Sequence, residues 1–134
     1  MAKLTRTLRV LVADDDPLVL KLMDKYLQDL GCQVVLSRNG KEAVEEVRAT
    51  RTMGTTPFDI CFMDLMMPEM GGIEAVLIMR EELGLKAPVV AITSSTMKAT
   101  KEKCFDVGMI DFVAKPVSAQ IVAEMIETHV LNVG

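Results

Sequence analysis

Residues 10–20 read VLVADDDPLVL, in which an apolar run, three consecutive carboxylates, a proline and a second apolar run follow one another. The first run is typical of a buried strand. An acid followed by proline is a strong helix start, because the acid caps free N–H groups and proline fits the first turn. Asp16 is therefore assigned to the helix cap. Asp14 and Asp15 need another explanation, since neighbouring carboxylates repel unless a cation or hydrogen bonds compensate.

The chain repeats this alternation of strand and helix five times. Short runs rich in Val, Ile and Leu predict strands at 8–13, 33–36, 58–63, 88–92 and 110–114. Apolar residues at helical spacing predict helices at 17–30, 40–50, 72–83, about 97–106 and about 118–130. Nearly continuous apolar strands alternating with helices are typical of an open, doubly wound α/β fold whose parallel sheet is covered on both faces. Five strands are too few to close a barrel of eight.

Length and composition are those of a single globular domain. Half of the 134 residues are hydrophobic and the net charge is −4, so there is no basic footprint for nucleic acid. No apolar run reaches the roughly 18–20 residues of a membrane span, and the polar start lacks the apolar centre of a secretory signal. We therefore expect a cytoplasmic protein without membrane insertion. The widely separated cysteines are expected to be free core thiols: Cys32, Cys61 and Cys104.

Two further features receive structural interpretations. Lys98, Lys101 and Lys103 form a small basic cluster, which is interpreted as the solvated face of the fourth helix. His129, near the end of the last helix, is interpreted as a surface residue rather than a ligand.

Polar side chains stand at the carboxyl ends of four predicted strands: Asp14 and Asp15 after the first, Asp64 after the third, Thr93 after the fourth and Lys115 after the fifth. An open parallel sheet brings these ends to one edge, where such folds bind their ligands. Several carboxylates suit Mg²⁺ or Mn²⁺, which typically bind through one or two carboxylates and a substrate phosphate. The pattern therefore predicts a divalent cation and phosphoryl site at this edge.

The chain resembles the receiver domain of two-component response regulators in four motifs, in this order and spacing: VLVADDDP, FMDLMMPEMGG, VVAITS and FVAKP. The resemblance covers essentially the whole chain as one domain, 1–134, with a core of about 8–131. It implies a flavodoxin-like (βα)5 fold with sheet order 2-1-3-4-5. One stretch departs from the compact pattern, because ATRTMGTTP (residues 49–57) resembles the looser insert of receivers attached to hybrid sensor kinases.

The resemblance implies a phosphoacceptor and a metal site. Asp64 matches the phosphoacceptor. Asp14 and Asp15 match the acidic pair for Mg²⁺ (or Mn²⁺), with Asp15 favoured as the direct ligand. Asp64 itself and the backbone carbonyl of Met66 would be further ligands.

The resemblance also implies a conformational switch. Thr93 matches the switch hydroxyl, Phe112 the switch aromatic and Lys115 the phosphoryl-binding lysine. The bond between Lys115 and Pro116 would be cis. Phosphorylation would then alter the surface of the fourth helix, fifth strand and fifth helix that a partner binds.

The implied phosphoryl donor is a phosphohistidine on a histidine kinase or a histidine phosphotransfer protein. The chain would be a signalling receiver that catalyses its own phosphorylation and slow dephosphorylation, rather than a classical enzyme. Slow dephosphorylation is expected because Met66 and Ser95, which would flank the approaching water, are neither acids nor amides. The receiver would be a monomer or a weak phosphorylation-dependent dimer.

Two alternatives stay open at this point. A haloacid-dehalogenase-type phosphohydrolase would use Asp14 as its nucleophile in an acid-X-acid run. Against it, Pro17 and Leu18 follow the acids, no acidic pair follows a late strand, and the chain is short. A receiver used only as a phosphorylation-independent interaction module is disfavoured because no key residue is missing.

Overall fold

The computed structural model of the chain describes residues 6–95 and 97–132, in which strands and α-helices alternate five times. The strands are β1 (Arg9–Ala13), β2 (Gln33–Ser37), β3 (Ile60–Asp64), β4 (Val89–Thr93) and β5 (Asp111–Ala114). The helices are α1 (Pro17–Asp29), α2 (Gly40–Met53), α3 (Gly72–Glu81), α4 (Lys98–Asp106) and α5 (Ala119–Ile126). All strand pairs are parallel and the sheet order is β2-β1-β3-β4-β5, which confirms the predicted doubly wound fold.

The sheet separates two apolar layers, because successive side chains of a strand point to opposite faces. One face packs against α2, α3 and α4, with Met79 and Cys104 fully buried in that layer. The other face packs against α1 and α5, where Met23 and Ile126 are fully buried. The central strands β3 and β4 are buried at every residue, which explains their nearly continuous apolar sequences.

Side-chain caps determine where several helices begin. Asp16 accepts a hydrogen bond from the Leu18 N–H at 2.9 Å at the start of α1, as predicted. Asn39 caps α2 and Ser118 caps α5 in the same manner. Because the Asp16 cap starts α1 so soon after β1, Asp14 stays at the edge of the sheet.

The segment 49–57 is more regular than the predicted loose insert. α2 continues past its expected end at residue 50 to Met53, and it stops at Gly54, whose φ is 67°. Arg9 donates a hydrogen bond to Thr50 Oγ1 at 2.8 Å. In the extra turn itself, Arg51 donates a hydrogen bond to the Leu83 carbonyl at 2.7 Å, and neither contact can be recognised from the local sequence.

Other predicted ends differ slightly from the observed ones. β3 starts at Ile60 rather than 58 and includes Asp64, because Asp64 pairs with Ile92 of β4. α3 ends at Glu81 rather than 83. α5 ends at Ile126 and is followed directly by a π-helical segment, Glu127–Leu131. The single helix predicted at about 118–130 is therefore observed as an α-helix followed by a π-helix.

His129 is not the surface residue that the sequence predicts. Its Nε2 lies 2.7 Å from Asp111 Oδ2, and only 15% of its side chain is exposed. The other Asp111 oxygen accepts a hydrogen bond from the Phe112 N–H at 2.7 Å. The end of the last helix is thereby tied to the start of β5, a pairing that depends on how the helix returns along the sheet.

Three smaller predictions can be compared with the structure. The cysteines Cys32, Cys61 and Cys104 are buried and free, as predicted. The bond between Lys115 and Pro116 is cis, as the resemblance implies. In the two described ranges, no helix is both long and apolar enough to cross a bilayer.

Gly72 allows α3 to start against the end of β3. A Cβ atom at this position would overlap the carbonyl oxygen of Asp64. The Gly72 N–H also donates a hydrogen bond to the Leu65 carbonyl at 3.1 Å. The close approach therefore helps to fix the backbone at Asp64.

We expect Gly72→Ala to lower the free energy of unfolding by about 2–3 kcal/mol, because an overlap with backbone cannot be relieved by a rotamer change. Gly54→Ala is the control. It places a side chain at positive φ but has no atom within 4 Å of the new Cβ, and it should cost about 1 kcal/mol. Urea denaturation measures both values. If Gly72→Ala loses no more stability than Gly54→Ala, the close contact between Gly72 and the Asp64 carbonyl is not important for stability.

Candidate functional site

The predicted polar side chains stand at the carboxyl ends of the strands, along one edge of the sheet. Asp64 and Thr93 are the last residues of β3 and β4, while Asp14 and Lys115 directly follow β1 and β5. The Asp14 N–H donates to the Ser37 carbonyl at 3.1 Å. The Lys115 N–H donates to the Thr93 carbonyl at 3.0 Å. These bonds continue the sheet, so the sheet itself positions the site.

The three consecutive acids have three different surroundings. Asp14 is fully buried and accepts a hydrogen bond from the Asp16 N–H at 2.9 Å. Asp15 is exposed, and the Asp16 side chain caps α1. One carboxylate oxygen from each of Asp14, Asp15 and Asp64 lies within 4.8 Å of the others. The structure therefore brings the predicted acidic set together and leaves Asp16 outside it.

Lys115 is the cation that faces this acidic set. Its Nζ lies 3.0 Å from Asp14 Oδ2 and 3.5 Å from Asp64 Oδ2. The shorter contact is an ion pair that lacks hydrogen-bond geometry, so the buried Asp14 Oδ2 accepts no hydrogen bond from any residue that the structure describes. One ammonium against three carboxylates leaves an excess of negative charge. A divalent cation fits this donor set, because it would offset that charge with oxygen ligands that it prefers.

The electrostatics of the site are evident in two shifted pKa values. The pKa of Asp64 is raised from 3.8 to about 6: burial and then the charge of Asp14 raise it, while Lys115 and the Met66 N–H act in the opposite direction. Burial lowers the pKa of Lys115, but attraction to Asp14 and Asp64 outweighs it, and the net pKa is raised. Lys115 is therefore charged at neutral pH, whereas keeping Asp64 ionised costs free energy.

Met66 lies beside Asp64 with its side chain 81% exposed. Its N–H donates a long hydrogen bond to Asp64 Oδ1 at 3.4 Å. No hydrogen bond to the Met66 carbonyl is found within residues 6–95 and 97–132. That oxygen is available as the predicted backbone ligand.

The predicted switch residues lie on neighbouring strands. Thr93 Oγ1 accepts a hydrogen bond from the Ser95 N–H at 2.9 Å, and in the described part of the chain it makes no hydrogen bond to the three acids. Phe112 pairs with Ala91, two residues before Thr93. The Phe112 ring is half-buried against the layer that contains α4. The structure thus places the pair together but leaves the Thr93 hydroxyl out of contact with the acidic set.

The protein-family model for the response regulator receiver domain matches residues 10–127 of the chain. The chain belongs to this family. The signal transduction histidine-protein kinase BarA of Escherichia coli K12 is 38% identical over 112 residues, which is 83% of the chain. The hybrid signal transduction histidine kinase L of Dictyostelium discoideum is 34% identical over 128 residues, which is 92% of the chain. The region that matches this chain makes up only 12% of the length of BarA and 7% of the length of kinase L.

A solved structure of similar fold is the receiver domain of sensor histidine kinase PA1611 from Pseudomonas aeruginosa. It is 25% identical, has a TM-score of 0.80, and the similarity covers 95% of this chain and 100% of that one. That receiver has a magnesium ion coordinated in its active site cleft. The family assignment makes the present chain a receiver domain of two-component phosphorelay systems, with a signalling role rather than that of a classical enzyme.

Two residues near the site, Gly72 and Phe105, were not singled out from the sequence, and a third, Lys101, was interpreted only as part of a solvated helix face. Gly72 stands in the quoted motif FMDLMMPEMGG, so a glycine directly before a predicted helix could have indicated a close backbone approach. Lys101 and Phe105 both contact the Phe112 ring, and the interpretation of Lys101 as simply solvated is incomplete. Nothing in the helical spacing of α4 indicates which strand residue it contacts.

In the metal-free receiver, we expect Asp64→Asn to raise the free energy of unfolding at pH 7.5 by about 1–3 kcal/mol, because it removes a buried charge whose pKa is raised from 3.8 to about 6. The sign follows from linkage. Protonation of Asp64 stabilises the folded chain below pH 4, and this contribution is lost as the pH rises through about 6. The gain from the variant should therefore shrink at pH 4.5.

Urea denaturation in the presence of a chelator at pH 7.5, 6 and 4.5 measures this effect. Asp16→Asn is the matched control, because asparagine caps a helix about as well as aspartate does. A stability gain for Asp64→Asn that does not change with pH would show that the buried charge is not its cause.

Proposed function

We propose that Asp64 accepts a phosphoryl group from a phosphohistidine. Asp14 and Asp15, together with Asp64 itself and the Met66 carbonyl, would hold Mg²⁺ or Mn²⁺ for this reaction. The observation that carries the proposal is the cluster of three carboxylate oxygens within 4.8 Å of one another, with Lys115 Nζ 3.5 Å from Asp64 Oδ2. A divalent cation held by these carboxylates, together with the Lys115 ammonium, would make the site suited to a phosphoryl group that brings its own negative oxygens.

In this proposal an Asp64 oxygen attacks phosphorus in line with the donor's P–N bond. The new O–P bond forms as the P–N bond breaks, and the histidine nitrogen leaves with the electron pair. Lys115 pairs with one phosphoryl oxygen and Thr93 donates a hydrogen bond to another. A bound divalent cation supplies neutralisation of the charge that gathers on the phosphoryl oxygens. The receiver therefore catalyses its own phosphorylation through positioning and charge.

The proposed signal starts at Thr93. To reach a phosphoryl oxygen, its hydroxyl gives up the hydrogen bond that it now accepts from the Ser95 N–H. Phe112 can then turn into the space that Thr93 leaves. This movement changes the surface formed by α4, β5 and α5, and a partner that prefers the changed surface shifts the equilibrium further.

The proposed donor is a histidine kinase or a histidine phosphotransfer protein, which agrees with the histidine kinases among the relatives. Residues 1–134 would act as one receiver domain with a core of about 8–131. A phosphohistidine donor and buried free thiols both fit the cytoplasm. We propose a monomer or a weak phosphorylation-dependent dimer that contacts neither nucleic acid nor membrane directly.

Dephosphorylation is proposed to be slow. A hydrolytic water needs a carboxylate or amide to hold it in line with the acyl phosphate. Met66 is apolar and exposed beside Asp64, and the short Ser95 side chain lies 3.4 Å from Thr100 Oγ1. Neither side chain can hold the water in this way.

Acetyl phosphate with Mg²⁺ should phosphorylate the receiver on Asp64, and mass spectrometry of the peptides should locate the group there. Asp64→Asn should remain unmodified, whereas the control Asp16→Asn should react like wild type. Lys115→Ala should keep metal binding but lose phosphorylation or its conformational consequence, because the lysine pairs with phosphoryl oxygens and not with the metal. A phosphoryl group on Asp14 would favour the phosphohydrolase alternative. No phosphoryl group on any residue, with acetyl phosphate or with a phosphohistidine protein as donor, would favour a phosphorylation-independent interaction module.

A second experiment tests the assignment of the consecutive acids. Asp15→Asn should weaken Mg²⁺ binding by about tenfold or more, which is a loss of about 1.4 kcal/mol or more, because it removes the negative charge of the favoured direct ligand. Asp16→Asn should change the affinity by much less, since that side chain caps α1. Calorimetric titration with MgCl₂ measures both affinities. Equal losses in the two variants would show that the division of roles is wrong.

A further inference from the structure

α4 is held to the receiver by few buried side chains. Cys104 is its only buried residue, whereas each of the other four described α-helices has three or more. No side chain caps its first turn, and its first turn carries no acid. Contacts of partly exposed residues therefore matter more for α4 than for the other helices.

Two of these contacts converge on Phe112 of β5. The Phe105 ring meets the Phe112 ring edge to face, with centroids 5.5 Å apart and planes at 73°. Lys101 Nζ lies 5.7 Å from the centroid of the same ring. Lys101 and Phe105 are four residues apart and so project from one face of α4. The ring of Phe112 is thus a main point of attachment for this helix.

The backbone of Phe112 is held separately from its ring. Its N–H donates to Asp111, and Asp111 also pairs with His129. These contacts anchor the start of β5 to the end of the last helix. The ring can therefore leave α4 without displacement of the strand.

We propose that Lys101 and Phe105 act as a clasp on Phe112, which keeps the ring against α4 and limits how much of the unphosphorylated receiver adopts the switched conformation. The proposal rests on the switch role proposed above for Phe112. A cation–π contact and an edge-to-face aromatic pair each bias such an equilibrium by about two- to tenfold. These two residues are thus positioning residues, because they act on the phosphoryl site only through Phe112.

The test uses NMR of the full chain labelled with ¹³C-phenylalanine, which has only four phenylalanines to assign. Spectra are recorded without ligand and during titration with beryllofluoride, a phosphoryl mimic, in the presence of Mg²⁺. The variants are Lys101→Met and Phe105→Leu. The controls are Lys101→Arg, which keeps a cation over the ring, and Lys103→Met, which removes an exposed lysine from the same helix.

In Lys101→Met, the ligand-free Phe112 resonances should move in the direction in which beryllofluoride moves those of wild type. Both Lys101→Met and Phe105→Leu should lower the beryllofluoride concentration at half-saturation by about two- to tenfold, since the state that binds it is more populated. Lys101→Arg and Lys103→Met should stay close to wild type. Wild-type behaviour of both test variants, or an equal change in Lys103→Met, would overturn the clasp.

The two proposals fail in different ways. A wild-type receiver that does not respond to beryllofluoride would contradict the proposed function. The clasp would then be judged on the ligand-free Phe112 resonances alone. A shift in Lys101→Met that Lys101→Arg does not show supports it, and identical spectra for these two variants overturn it.

Discussion

Two carboxylates, Asp14 and Asp64, are buried at the ends of neighbouring strands and share the ammonium of Lys115. Burial and mutual repulsion make this arrangement unfavourable at neutral pH, as the raised pKa of Asp64 indicates. The surrounding structure serves to maintain it. The sheet fixes the backbone of Lys115 through Thr93, and the close approach of Gly72 supports the backbone at Asp64. The resulting excess of negative charge is what makes a divalent cation a suitable ligand.

The same edge links the proposed chemistry to the proposed signal. Thr93 and Lys115 are joined by a backbone hydrogen bond, so in the proposed switch β4 and β5 would respond together to a group bound at Asp64. In that switch, Phe112 would carry the response to α4. Because α4 buries only Cys104, it can move while the two apolar layers remain packed. A weakly anchored helix beside a rigid sheet is the element from which a two-state response is expected.

The strand and helix order and the acidic set could be predicted because they follow from apolar periodicity and from polar residues at strand ends, whereas the sheet order was predicted only from the family resemblance. The assignment of Asp16 to a helix cap followed from the proline beside it and is confirmed. The extra turn of α2, the pairing of His129 with Asp111, and the contacts of Lys101 could not be predicted in this way. Each depends on residues far apart in the chain that meet only after the helices have packed. Local composition instead suggested a loop, a surface histidine and a solvated lysine.

The most direct test is the protonation of Asp64, because every later step depends on the buried excess of negative charge. Carboxyl ¹³C NMR can follow the pH titration of this residue, with Asp64→Asn used for assignment. We predict a midpoint at about pH 6 in the metal-free receiver and a lower midpoint when Mg²⁺ is added. A midpoint at the ordinary value of 3.8 that does not respond to Mg²⁺ would contradict the central role of this buried charge.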